Sequence, residues 1–476
     1  MKKIILVLGA FAAIAAVSGC SKGFIEKDKP YSMTESMVFS NPKYIESDLL
    51  GCYSIFKSSY PTFMGGLGSI VFDSRGDDIV NMSNPITMQD TYRMQVLGTT
   101  IENSRIWTYA YATINNCNLF ADKLDKYNCR EVLGEDLYNQ YKAEALFLRA
   151  YCYYVLAQLY SEPYCKNPNA PAVPLRLKGL ESSGNNDCPL STIEDVYKQI
   201  LADCLPDFLA DSPGTYNGAS RASSAAAHLL KMRVYMAMNE WESAITEGTA
   251  ISSDYKLADD IASIYGTSES VYGSKEVIFA LPSTTQDNPN TQMSCAEYFS
   301  QKANVCWIDT EGGVMSQPAY SLSDDQRIAK LVTEPDNNGF VYSKKYTDFS
   351  QHLDWVILMR YAEVKLNLAE CYANTATGAN YAKEALSLVR RRSIPADKDI
   401  IEISTLGSDL KTAIYNERRL EFICEGMRGI DIIRRGETFK KENSSLPAAV
   451  SVAPGTTGYT WPIPDTEYTF NKAISK

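Results

Sequence analysis

The sequence predicts an all-α fold in which helix pairs, packed through seams of small residues, are interrupted by long irregular insertions. Three observations lead there. Apolar residues recur at helical spacing in several long segments. Some of those segments double back around a short polar turn. Between them lie stretches rich in Gly, Pro, Asn and Ser that carry no helical stripe.

The helices follow in order. In WTYAYATINNCNLFADKL, Trp107, Tyr111, Ile114, Asn118, Ala121 and Leu124 fall on one stripe. In YKAEALFLRAYCYYVLAQLY, apolar residues surround nearly the whole cylinder, the mark of a central helix. STIEDVYKQILADCL opens with a capping-box pattern in which Ser191 and Glu194 satisfy each other's end of the helix start, and Pro206 ends or bends it. AAAHLLKMRVYMAMNEWESAITEGTAI runs to Met238, turns at Asn239 and resumes with Trp241-x-x-Ala244. RYAEVKLNLAECYAN…NYAKEALSLVRRR repeats that logic, with Ala362, Leu366, Ala369 and Ala373 along its first helix. Small residues on a stripe admit a second helix, and a Tyr or Trp just after the turn fills the gap. With Ala143-x-x-x-Phe147 these are tetratricopeptide-like signatures, but they do not keep the fixed period of about 34 residues of a plain solenoid.

Residues 60–100 and about 282–350 are the irregular insertions, and a helical scaffold occupies about 36–260 and 351–436. Long irregular segments in a compact domain are commonly binding loops. These carry Tyr60, Phe63, Phe72, Tyr92, Tyr298, Phe299, Trp307, Tyr320, Phe340 and Tyr342, aromatics that disordered segments lack.

Composition excludes some classes. A formal charge of −11 argues against nucleic acid, whose phosphates it would repel. There are only two histidines, His228 and His352, without ligand spacing around them, so neither a metal nor a cofactor is expected. Twelve cysteines include no CxxC; Cys117, Cys152, Cys204, Cys371 and Cys424 sit in helical patterns, where a reduced, buried thiol is expected.

The first residues read as an address. Lys2 and Lys3 precede the apolar Ile4–Val17, too short to span a bilayer, and Val17-Ser18-Gly19-Cys20 places small residues before a cysteine. Residues 1–19 are therefore expected to be a signal peptide, with Cys20 the lipidated first residue of a mature chain spanning 20–476. Multiple acyl chains on that cysteine suffice for stable anchoring.

ERRLEFICEGMRGIDIIRRGE, residues 417–437, holds five Arg and five Asp or Glu. Glu421 and Glu425 could suggest acid–base work, but neighbouring arginines would keep both ionised. Balanced charge also argues against an anion site. The expected reading is structural: Leu420, Ile423, Cys424 and Met427 form a buried stripe, Glu–Arg pairs tie the helix to its neighbours, and Gly429 permits a helix end.

At this point the chain resembles the SusD/RagB family of outer-membrane lipoproteins. The resemblance runs in order through Trp107–Leu124, EALFLRAY at 144–151, Val196-Tyr197 through Asp203, and Glu276-Val277-Ile278-Phe279. It continues with Asp325-Gln326-Arg327 and Arg360-Tyr361-Ala362-Glu363, then Glu417-Arg418, Glu421-Phe422, Glu425-Gly426, Arg428, Asp431, Arg434 and Gly436. Trp461-Pro462-Ile463-Pro464 with Glu467 and Asn471 matches the family's usual ending.

The resemblance implies an all-α tetratricopeptide-based superhelical scaffold with elaborated loops. It implies a non-enzymatic lipoprotein that captures oligosaccharides and caps a SusC-like TonB-dependent transporter in the outer membrane; some relatives bind peptides instead. Trp307, Tyr298 and Tyr320 lie where the family's ligand-facing insertion falls, and Asp77, Asp78 and Asn81 beside Arg75 offer hydroxyl partners. Two other readings remain. A glycoside hydrolase could use Asp309/Glu311 or Asp77/Asp78, given carboxyls about 5–9.5 Å apart, and a helical adaptor could lack a ligand altogether.

Overall fold

The structure, a computed structural model, describes residues 33–58, 62–81, 88–182, 184, 186–267, 269–289, 293–394, 410–446 and 448–475. The expected signal peptide, residues 1–19, and the expected lipidation site Cys20 lie outside the described residues.

The fold is mostly helical, as the periodicity predicts. Ile101–Lys126 packs along Glu135–Tyr160, the latter buried on nearly all sides from Ala143 to Tyr160. Ser224–Met238 and Trp241–Ala250 form the next pair. Their turn is Asn239 at φ 61, a left-handed cap that asparagine tolerates better than most residues. Tyr361–Ala373 and Ala379–Ser393 make a further pair, closed over Ala362, Leu366, Ala369 and Ala382, all fully buried. Trp241–Ala250 packs against Tyr361–Ala373, so the pairs stack into one scaffold.

One local expectation is corrected. The start of Ile193–Asp203 is capped by Thr192, whose Oγ1 accepts from the Asp195 backbone N–H at 3.1 Å, so the cap sits one residue later than Ser191/Glu194. That helix ends before Pro206, which opens the single turn Pro206–Phe208.

The insertions are more ordered than their composition suggests. The first contains Leu67–Arg75, a helix buried all round, so it has no polar face and leaves no stripe to read. The strand Ile79–Asn81 pairs antiparallel with Cys306–Ile308 of the second insertion, with Val80 opposite Trp307. Thr62 Oγ1 also donates to the Met293 carbonyl at 3.3 Å. The second insertion is closed at its neck by Val277–Leu281, antiparallel to Val356–Arg360. The two excursions therefore meet and do not lie on separate faces.

Every cysteine from Cys52 to Cys424 is free, and no helix among the described residues is long and apolar enough to cross a membrane.

Candidate functional site

The charge-dense segment is a buried ion-pair core. The helix Leu410–Glu421 ends, the chain turns with Cys424 at φ 63 and Gly426 at φ 78, and Arg428–Arg434 follows. Gly429 is thus not the helix end expected of it. It lies within the second helix, where a Cβ would come 2.3 Å from the Phe72 carbonyl oxygen. Glu421 Oε1 accepts from Arg360 at 2.6 Å and Arg392 at 2.5 Å, and its Oε2 from Arg327 at 3.2 Å. Glu425 accepts from Arg360 Nε at 2.8 Å, Lys345 at 2.5 Å and the Tyr265 hydroxyl at 2.8 Å. Glu417 takes Arg327 and Arg390, and Glu276 takes Arg360 and Arg392. With Asp325 on Arg327, five cations face five carboxylates, namely Arg327, Lys345, Arg360, Arg390 and Arg392 against Glu276, Asp325, Glu417, Glu421 and Glu425. Burial by itself would raise the Glu421 and Glu425 carboxyls, yet the surrounding cations hold both below the ordinary carboxylate range. Carboxylates locked in the ionised state and sealed from solvent bind no substrate and donate no proton.

Most of the side chains expected from sequence to contact a ligand are turned into the protein in this structure, and Asp77 is partly exposed. Arg75, 1% exposed, donates to the Tyr459 carbonyl and lies over the Phe439 ring, 4.8 Å from its centroid. Asp77 is gripped by Arg428 Nε and Nη2 at 2.5 and 2.9 Å, and Asp78 by Arg419 at 2.7 and 3.0 Å. Asn81 is fully buried and accepts from the Gln89 amide at 2.9 Å. Tyr298 is buried, and Tyr320 is buried with its hydroxyl donating to the Ala413 carbonyl at 3.3 Å. Trp307, 9% exposed, is covered by Phe340, stacked at 4.2 Å between centroids. Pairing of the two insertions with each other and with residues 417–437 accounts for Trp307 opposite Val80 and for Asp77 and Asp78 on Arg428 and Arg419, whereas Arg75 is covered by Phe439 and Tyr459, and Tyr320 by the helix Leu410–Glu421. The proposed hydrolytic pairs are consumed likewise. Burial would raise Asp77, but Arg428 and Arg419 hold it at about 2. Asp309 spends Oδ1 on the Glu311 and Gly312 backbone N–H groups and the Asn443 amide, each at 2.8 Å.

Two of the open clefts among the described residues bear on the site. The larger, about 360 Å³, lies between Tyr111 and the C-terminal Phe470. Its polar groups hold the fold together. Asn115 exchanges hydrogen bonds with both backbone groups of Leu180, Arg176 reaches the Asn186 carbonyl and Glu467, and Glu467 also accepts from the Trp107 indole at 3.0 Å.

The second cleft, about 280 Å³, sits where both insertions leave the scaffold. One wall is the end of Pro42–Lys57, which leads into the first insertion; another is Leu281 and Pro282, where the second begins. The third is the short helix Tyr216–Ser220, started by Thr215, whose Oγ1 accepts from the Gly218 N–H at 3.1 Å. Tyr216 is 48% exposed yet fixed, its ring edge-on to Trp355 at 5.5 Å and Tyr272 at 5.8 Å. Across from it, Lys57 Nζ donates to the Asp287 carbonyl at 2.6 Å and pairs with its carboxylate at 2.7 Å. Arg221 grips Glu144 through two bonds of 2.8 and 2.9 Å and reaches Glu46 at 2.7 Å. An exposed ring packed edge-on against two others can stack on an apolar face, and carboxylates beside it can accept hydroxyl protons. Sequence reasoning missed Tyr216. Its one signal was an aromatic in the turn-rich stretch DSPGTYNGAS, directly after a capping threonine.

Comparison with known proteins agrees with this architecture. The profile described as "SusD family" matches residues 326–476, and that described as "Starch-binding associating with outer membrane" matches 24–236. A crystal structure of a SusD superfamily protein from Bacteroides fragilis is 46% identical, covering 92% of this chain and 100% of that one, with a TM-score of 0.86. The chain belongs to the SusD superfamily. It is also similar to SusD-like protein P25 of Formosa agariphila, 23% identical over 87% of this chain and 86% of that one. A SusD-like carbohydrate binding protein from Bacteroides vulgatus shares the fold, with 20% identity, 91% and 97% coverage, and a TM-score of 0.72.

Proposed function

We propose that this chain is a non-enzymatic, nutrient-binding lipoprotein of the outer membrane that captures a glycan and delivers it to a SusC-like TonB-dependent transporter. The observation that carries the binding role is the cleft at the roots of the insertions, with its half-exposed Tyr216, packed edge-on against Trp355, in the same lining as Glu46 and Asp287. Sugars present C–H faces to such a ring and hydroxyls to such carboxylates. The reading is supported by a relative described as carbohydrate binding and by a family profile described as starch-binding and associating with the outer membrane. Lipid on Cys20 supplies the anchor.

The test is an array of glycans and peptides probed with the detergent-solubilised full chain. Oligosaccharide binding is expected; binding of peptides alone would replace the glycan with a peptide ligand, and binding of neither would leave the helical adaptor. For the partner, affinity purification of this chain from outer membranes should recover a large β-barrel transporter, and Cys20→Ala should abolish labelling by radioactive fatty acid. A chain purified alone, or labelled despite the substitution, would remove the corresponding half of the proposal.

A further inference from the structure

We infer that this cleft selects uncharged saccharides and turns away sulfated and uronate-bearing chains, an inference that rests on the cleft being the ligand site. Its cations are both recessed and occupied. The Lys57 side chain is 5% exposed and held by two Asp287 oxygens, while the Arg221 side chain is 13% exposed and held by Glu144 and Glu46. Glu144 beneath them is fully buried, so Arg221 cannot leave it without stranding a buried carboxylate. What faces solvent is the opposite sign: the side chains of Glu46 and Asp287 are 42% and 45% exposed. An incoming sulfate or carboxylate would meet those anions and find no unoccupied cation among the described residues lining the cleft, in a chain whose formal charge is −11. A hydroxyl meets the reverse. It donates to an ionised carboxylate, the stronger class of hydrogen bond, while the C–H face of its ring lies on Tyr216 beside the exposed Leu50. At about 280 Å³ the cleft sits at the small end of ligand sites, so it grips part of a chain.

The experiment is calorimetry of the detergent-solubilised full chain against neutral oligosaccharides and against sulfated and uronate-bearing ones, at low and high salt. Neutral ligands should bind with an affinity that salt barely changes, and charged ones should not bind. Tyr216→Ala should weaken binding about tenfold, with Tyr216→Phe retaining it, both variants first checked for an unchanged melting transition. Preference for anionic glycans that is lost in Tyr216→Ala and weakened by salt would overturn the charge selection while leaving the cleft as the site. Glycan binding of either kind that Tyr216→Ala leaves intact would overturn the cleft itself, and the inference with it. Failure of every saccharide to bind would sink both.

Discussion

Glu425 illustrates what a single residue does here. Its oxygens accept from Arg360, Lys345 and Tyr265, none exposed to solvent by as much as a tenth. Removing it leaves the buried Lys345 without a carboxylate and takes one of three from Arg360, and breaking such a buried pair costs about 3–5 kcal/mol. Glu425→Ala is therefore expected to lower the unfolding free energy by that much, read as a fall in the urea midpoint at unchanged slope, while the folded fraction keeps its ligand affinity. A selective loss of binding at unchanged stability would return this segment to the list of sites. That Glu421 and Glu425 were structural was legible from the arginines around them. That their partners would be Arg360, 61 and 65 residues away, and Lys345 was not, because nothing local encodes a contact between distant helices.

At the scale of elements, close approach decides which glycines matter. Gly429 brings the helix Arg428–Arg434 against Leu67–Arg75 of the first insertion, where a methyl group would stand 2.3 Å from the Phe72 carbonyl oxygen. Gly51, exposed in Pro42–Lys57, has nothing within 4 Å of its would-be Cβ. Gly429→Ala should cost well over about 1 kcal/mol or prevent folding, whereas Gly51→Ala should stabilise by about 0.5–1 kcal/mol through helix propensity. Thermal melts of the two variants side by side check this; equal effects would deny the packing role of Gly429. Helix pairs such as Ser224–Met238 with Trp241–Ala250 were readable because the 3.6-residue period and the cap at Asn239 are local. Leu67–Arg75 was unreadable because a helix buried on all sides has no period.

For the whole molecule, buried ionisation sets the response to pH. Glu370, Glu421, Glu425 and Asp431 are buried, and arginines, joined by Lys345 at Glu425, nevertheless depress them below their ordinary values. Folded carboxylates that are harder to protonate than unfolded ones contribute stability that is complete above the unfolded values of about 4 and is lost as pH falls through the folded ones. Steep acid unfolding below about pH 4 is expected. Asp73 works the other way: burial pushes it up to about 8, against the Gly426 N–H that donates to it at 2.7 Å. Its contribution is present below the unfolded value and is lost as pH rises towards 8. Asp73→Asn should therefore gain stability relative to the natural chain progressively between about pH 4 and 8. Urea midpoints across that range decide it, and a difference independent of pH would show that Asp73 is ionised throughout.

The sequence by itself determined the helical class, the paired scaffold and the structural nature of residues 417–437. Each of these is written in local periodicity, capping chemistry or charge balance. Only the tertiary structure decided which aromatic rings stay open. Trp307, Tyr298 and Tyr320 were buried by tertiary packing, Trp307 under Phe340 and Tyr320 against the helix Leu410–Glu421, while Tyr216, in a turn that composition left anonymous, was held half-exposed by Trp355 and Tyr272. Exposure is a property of what packs against a residue from elsewhere in the chain, and no run of neighbouring residues records it.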